Sequence, residues 1–438
     1  MEESNMRQIL LCSLLSIILS QFCFAQGETT LTFLQITTSP TGNGMGGIVG
    51  STITDDPMAV LANPGQLGLQ SFDHTLTTGF YPSGIAWLPQ FQQSDLNLNA
   101  TAVNLGMKVN DFLFMSFPVT VGVSYSNTNL NLGSFAFTSP TGNGIEWFDA
   151  HENTKNVSFG IGFNYFVKVG IGYTMKNIVS DLAPITTGFG QAAVSSTDFG
   201  VVVQAPVIGI IDQMSGSQCS IWRNENREID PLFDLSFGYA RRNLGDQFVW
   251  YGGPTEADPM PREATIGLTY KAGLVLHKGK SSWELFSVKL AREAADILVT
   301  RLFSAPLDSN GFPVGNPPPQ QYVNGIGAIN ILDNVVLGEG NGHSQIRKGW
   351  QISAGEFVEI RGGSVDAPGL VYTTTGWGLR LSGLVKLFTF GSERTSESSF
   401  VEYIYSHLDV RYDHASESGA DNSPRDGNTY DGVSVLWK

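Results

Sequence analysis

The stretch VSFGIGFNYFVKVGIGYTMKNIV, residues 157–179, holds two runs of alternating apolar and small or polar residues, set back to back around residue 166. Alternation of this kind marks a strand with one face in an apolar environment. Two such runs with almost nothing between them make a hairpin with a tight turn. The same period of two continues on both sides. Residues 97–109 alternate, and so do residues 117–133, with Val119, Val121, Val123 and Tyr125 on one face. With further candidates at 72–81, 195–205, 232–244, 263–276, 282–292, 345–354, 356–363, 371–385, 399–412 and 429–437, the pattern predicts about fourteen strands.

The connections are of two kinds. Those at Asn110-Asp111, Phe166 and 277–282 read as tight, whereas 134–153, 245–262, 303–324 and 413–428 are long and rich in Gly, Pro, Asn and Asp. Short turns alternating with long loops are the mark of a transmembrane antiparallel β-barrel. Such a strand turns only every second residue to lipid, which explains a mean hydropathy of only -0.01. No segment beyond the N-terminus approaches the roughly 18 continuous apolar residues of a helical span. The alternative all-β reading is a soluble, secreted structural sandwich.

The two ends of the chain carry their own signals. Residues 9–22 form an apolar run too short to span a bilayer, and Ala25 offers a small residue for cleavage, so 1–25 reads as a secretory signal peptide, the alternative being a membrane anchor. Translation from Met6 in place of Met1 would give the more basic leader. Cleavage leaves Cys219 as the last cysteine, which excludes an internal disulfide and a cysteine metal cluster. At the other end, Tyr430, Gly432, Val435 and Trp437 have the spacing of a terminal outer-membrane barrel strand, with Lys438 after the aromatic as a departure. A net charge of -15 argues against binding nucleic acid, which needs clustered Lys and Arg.

Residues 39–68 contain Gly42, Gly44 and Gly47 at G-x-G-x-x-G spacing. A dinucleotide site would need a strand before them and a helix after. Pro40 and a polar run precede the glycines instead, and no helix is expected before Asp56. The segment 273–281 has one residue too many for a phosphate loop and lies between strands. The six histidines lack metal-ligand spacing, no nucleophile elbow is present, and 307–311 and 421–432 carry incomplete Ca²⁺-loop patterns. No enzyme, cofactor or metal site emerges. Residues 288–299 (VKLAREAADILV) read as a strand running into a short helix. Residues 79–91 read as an aromatic girdle or rim, and 224–231 and 255–263 as solvated charged loops.

The residues FLQI (33–36), GNGMGG (42–47) and DDPMAVLANPGQLG (55–68) resemble the N-terminus of the PorV/PorQ-like family of FadL-type outer-membrane barrels. The matching positions are Gly44-Met45-Gly46, Asp55-Asp56 and Asn63-Pro64-Gly65-Gln66-Leu67. Segments 234–270 and 355–363 look like barrel stretches of the same family. The resemblance implies a 14-stranded barrel (71–438) with residues 26–70 folded inside as a plug, beginning with a short apolar strand. It implies a bacterial outer-membrane location, lipid as a partner, and an accessory role in protein secretion, with secretion-system proteins or cargo as partners. The alternative it offers is a channel for hydrophobic small molecules. Local chemistry agrees with a plug helix: Asp56 suits an N-cap, Pro57 the first helical position, and Pro64 ends the turn.

Overall fold

The structure is a computed structural model that describes residues 29–81, 96–110, 116–138, 144–183, 191–224, 227–249, 257–278, 281–299, 321–389, 407–420, 423 and 425–438. Residues 1–25, read as a signal peptide, the Asn110-Asp111 turn beyond residue 110, and most of 79–91 and 303–324 lie outside these residues. Fourteen strands form one closed antiparallel ring: β1 (Leu76–Phe80), β2 (Asn97–Lys108), β3 (Val119–Thr138), β4 (Gly144–Asn164), β5 (Lys168–Asp181), β6 (Gln191–Pro206), β7 (Arg227–Gly245), β8 (Glu263–Lys278), β9 (Ser281–Ile297), β10 (Gln345–Ala354), β11 (Val358–Ala367), β12 (Leu370–Arg380), β13 (Leu408–Gly419) and β14 (Thr429–Trp437). The last strand closes on the first, with Leu76 opposite Trp437 and Phe80 opposite Val433.

The hairpin of residues 157–179 shows why this ring belongs in lipid. Phe159, Ile171, Tyr173 and Met175 point outward and are exposed, while Ser158, Thr174 and Lys176 point inward and are buried. The pattern repeats on β3, where Val123 and Tyr125 are exposed and Ser124, Ser126 and Thr128 are buried. An apolar exterior around a polar interior is the reverse of a water-soluble sandwich and is the arrangement of a membrane barrel. At the turn, the Tyr165 and Phe166 rings meet edge to face at 4.4 Å, with Phe117 5.8 Å from Tyr165. Both turn rings are exposed, as in an interfacial belt.

Several local expectations need correction. Residues 134–153 are mostly strand: β3 runs to Thr138 and β4 starts at Gly144, because the two long strands continue to pair with each other past a register shift at Gly133. Residues 288–299 contain no helix. β9 runs to Ile297, its ladders with β8 and β10 overriding the helix propensity of its Ala, Arg and Glu. β12 stops at Arg380 and hands over to a helix, Leu381–Thr389. The strand expected at 399–412 is β13 at Leu408–Gly419, which takes in part of the loop assigned to 413–428. The start of 72–81 is turn rather than strand, since β1 begins at Leu76.

The two ends of the ring each mix short and long connections. The end that bears the C-terminus has the tight Phe166 turn but also a helix at Val207–Ser215 and the one at Leu381–Thr389. The opposite end joins β11 to β12 through two residues, yet takes the whole of 298–344 between β9 and β10. Part of that segment folds back on the outer wall, where Ile329 and Val335 cover Ala264, Ile266, Ala294 and Ile346.

Candidate functional site: the filled lumen

Residues 29–74 sit inside the ring. The expected apolar strand at 33–36 is a 3-10 turn, Thr32–Gln35, and a helical turn at Pro40–Gly44 precedes Asp56. Ser39 caps this turn, its hydroxyl accepting from the Gly42 amide at 2.9 Å. Such a capped, single turn can form among prolines and glycines because the wall supplies the packing that its own sequence lacks. A second 3-10 turn, Pro57–Leu61, starts at Asp56, whose carboxylate accepts from the Met58 amide at 2.9 Å and from the Ser39 hydroxyl at 2.5 Å. Pro64 then leads into the helix Gly65–Gln70.

Two glutamines tie the segment to itself. Gln66 donates to the carbonyls of Val49 and Thr52, and Gln70 donates to those of Thr54 and Asp56. Asn63 ties it to the wall. Fully buried, it donates to Gly50 O at 2.8 Å, Val201 O at 3.1 Å and Tyr239 O at 3.2 Å, and accepts from the Gly65 amide at 3.0 Å. Replacing Asn63 with Ala removes the two N–H donors that these carbonyls share, at about 1–3 kcal/mol for each buried group left unsatisfied. Thermal melting of the N63A barrel is expected to show an early, partial transition for the lumen segment, while a melt identical to wild type would contradict this role.

Close backbone approach explains the inward glycines of the wall. A Cβ on Gly160 or Gly162 would lie 2.7 or 2.3 Å from the Gly68 backbone, and one on Gly170 or Gly172 would lie 2.2 Å from the carbonyls of Gly65 or Pro64. The contacts continue round the ring, from Gly200 against Asn63 and Gly238 against Gly50 to Gly349 against Met45 and Gly363 against Gly46. Gly46 itself needs glycine, because its φ of 75° is left-handed and a Cβ there would lie 2.9 Å from the Lys348 carbonyl oxygen; its amide donates to the Thr374 hydroxyl at 2.8 Å. Met45 is fully buried against Ile48 and Ala291, and Leu67 is buried beside Gly122 and Gly160. Gly44 meets Gly376, and the Pro57 ring meets Gly79.

The C-terminal residues divide between the two faces. Tyr430 and Gly432 face the lumen, Gly432 against the Pro40 ring, while Val435 and Trp437 face outward. Residues spaced by an odd number on a strand lie on opposite sides, so this set does not act as one surface.

Charged side chains form the other bond between segment and wall. Arg380 at the end of β12 holds Asp55 at 2.9 Å and Asp409 at 3.0 Å, and His74 lies 3.4 Å from Asp55. Beside them, Arg361 and Arg411 share Glu359 and Asp413; Arg411 lies 2.7 Å from Glu359, Arg361 lies 2.8 Å from Asp413, and the Arg361–Glu359 contact is close. Burial pushes the Asp55 carboxyl up, but Arg380 and the hydrogen bond to His74 outweigh it and hold the group well below the usual carboxylate range. Burial dominates at Asp56 and pushes its carboxyl up, partly offset by the Ser39 hydroxyl. A carboxylate depressed in the seated state stabilises that state above its ordinary value and loses the contribution only as pH falls through the lowered one. The Asp55–Arg380 tie is therefore expected to hold through mildly acidic pH. Asp55→Asn should loosen the segment already at neutral pH, by roughly 1.5–3 kcal/mol for the lost charged hydrogen bond. Protease cleavage of 29–74 in the intact barrel, followed across pH, checks both; identical cleavage of wild type and variant at pH 7 would refute the tie.

Neither Arg380 nor the other lumenal charges stood out in the sequence as a site. A signal was present, because Asp409, Arg411 and Asp413 alternate on β13, as do Glu359 and Arg361 on β11. Alternating charges in a strand reveal an inward face only once the ring is known to be closed. The segment leaves a cavity of about 790 Å³ at the C-terminal end of the ring, lined by Ile53, Asp55, Phe72, Lys289, Arg380 and Arg411 among others. On its far side lies a small cleft of about 40 Å³, edged by Phe33, Leu34, Ile36 and Met58 from the segment and by Thr128, Asn156, Lys176 and Arg242 from the wall. Among the described residues no group of His, Cys, Asp or Glu could hold a metal ion.

No family model matches the chain, and no curated protein matches it. Solved barrels do resemble it. The CymD monoaromatic hydrocarbon channel is 9% identical with a TM-score of 0.37, over 93% of this chain and 97% of that one. The Pseudomonas putida toluene transporter TodX is 10% identical with a TM-score of 0.36, over 90% and 95%. A Pseudomonas aeruginosa FadL homologue is 10% identical with a TM-score of 0.31, over 92% and 98%.

Proposed function

We propose that the protein is a gated channel of a bacterial outer membrane, reached through a cleaved signal peptide, in which residues 29–74 plug the lumen and move to admit small molecules. The observation that carries this reading is the way the segment is held. It contributes no strand to the ring, and side-chain and backbone contacts seat it across the bore. A structural filler has no need of an open chamber of about 790 Å³ on one side and a small cleft on the other. Hydrophobic molecules are the substrate class that the FadL-type resemblance favours. The cleft edged by Phe33, Leu34 and Met58 offers such a molecule its first contacts, and at about 40 Å³ it must widen as the segment shifts.

The test is uptake. Cells lacking the protein should take up labelled toluene more slowly than wild type, and re-expression should restore the rate. Equal uptake would remove the channel reading. A deletion that leaves uptake unchanged but abolishes surface display of secreted proteins would favour the export role instead.

A further inference from the structure

The outer wall between β9 and β10 has one rung that breaks its apolar pattern. Outward residues there form cross-strand pairs, Val288 with Ile352, Leu290 with Trp350, Arg292 with Lys348, and Ala294 with Ile346. Leu290, Trp350 and Ile352 are exposed apolar residues of the lipid-facing wall. Ala294 and Ile346 are buried beneath Ile329 and Val335 of the segment that folds back on the wall. The cationic rung thus lies at the border between bare and covered wall, one step past a tryptophan. Tryptophan at the edge of an apolar band marks the membrane–water interface, so the next rung stands at headgroup level.

Two like charges directly opposite each other on a sheet repel. Here they also converge. A Cβ placed on Gly338 would lie 3.0 Å from Lys348 Cε and 3.4 Å from Arg292 Nε, so both side chains reach one spot. Arg292 donates to the Val336 carbonyl at the end of the helical turn Ile331–Leu337, which uses one of its N–H groups. Neither Arg292 nor Lys348 forms an ion pair among the described residues, and Lys348 makes no hydrogen bond through its ammonium there. The turn presents exposed Ile331, Leu332, Val336 and Leu337 beside the pair. The arrangement is two convergent cations with apolar surface above and below.

We propose that Arg292 and Lys348 bind the phosphate headgroup of a membrane lipid, whose acyl chains lie along Leu290, Trp350 and Ile352. A phosphate offers several strong acceptor oxygens to an arginine fork and an ammonium at once, and relieves their mutual repulsion. A free phosphate ion would make no use of the apolar wall on either side.

Native mass spectrometry of the full-length protein in detergent tests this, with dioleoyl phosphatidic acid as probe and dioleoyl phosphatidylcholine as the control whose phosphate is masked. Wild type should retain phosphatidic acid in preference to phosphatidylcholine. Arg292→Gln with Lys348→Gln should weaken retention about tenfold or more, and Lys348→Arg should preserve it. Heat-modifiable migration on a gel confirms that each variant is folded. Equal retention by wild type and the double variant would overturn the site. So would full displacement by millimolar inorganic phosphate, since a site that reads the ion alone is not a lipid site.

Discussion

Deletion of residues 39–68 is expected to leave an inserted barrel that conducts freely. The ring does not need the segment to close, because β1 pairs with β14 and no barrel strand is lost. Most wall charges also keep partners without it. Arg361 and Arg411 keep Glu359 and Asp413, Arg347 keeps Glu293 at 2.9 Å, Arg242 keeps Glu263 at 2.7 Å, and Lys176 keeps Asp198 at 2.8 Å. Arg380 loses Asp55 but retains Asp409. Such self-neutralising pairs tolerate hydration, whereas unpaired buried charges would not tolerate a dry lumen. Some stability is still lost, since inward Ala100, Ala102, Leu130 and Ile178 exchange the segment for water. Planar-bilayer conductance of the purified variant checks the expectation. A conductance as low as that of wild type would mean that residues 39–68 do not block the bore.

Strand count and closure were legible, because period-2 alternation survives in every long strand and the 157–179 hairpin has almost no turn to confuse it. The ends of strands were not. Residues 134–138 and 144–147 keep pairing where both faces are exposed, so the alternation that betrays a buried face fades there. Residues 288–299 misled for the opposite reason: Ala, Arg and Glu favour a helix in isolation, while two neighbouring ladders decide for a strand. In the lumen, Asp56, Pro57 and Pro64 announced themselves through capping chemistry that is local in sequence. Arg380 did not, because its partners Asp55 and Asp409 come from opposite ends of the chain and meet only when the ring is closed. The wall glycines lie between these cases. Their alternation shows that they face inward, but what they face is set by a segment that for many of them is distant in the sequence, as Gly363 is from Gly46.

The wall glycines hold the lumen segment in its seat. Gly162 and Gly172 line the same hairpin, and their inward faces touch Gly68 O and Pro64 O so closely that a Cβ would lie 2.3 and 2.2 Å away. Neither side can yield cheaply. The wall backbone is fixed by ladders on both edges, and the helix Gly65–Gln70 is fixed by Asn63, Gln66 and Gln70. Overpacking of one position ordinarily costs about 1–3 kcal/mol. Two leucines against one short helix, in a site that cannot expand, should exceed what its remaining contacts supply. Gly162→Leu with Gly172→Leu is therefore expected to unseat the segment and raise conductance, while heat-modifiable migration stays that of an intact barrel. Ile161→Leu, on the outward face of the same hairpin, should change neither. A double variant that remains closed would show that the glycine contacts follow from the seating of the segment without determining it.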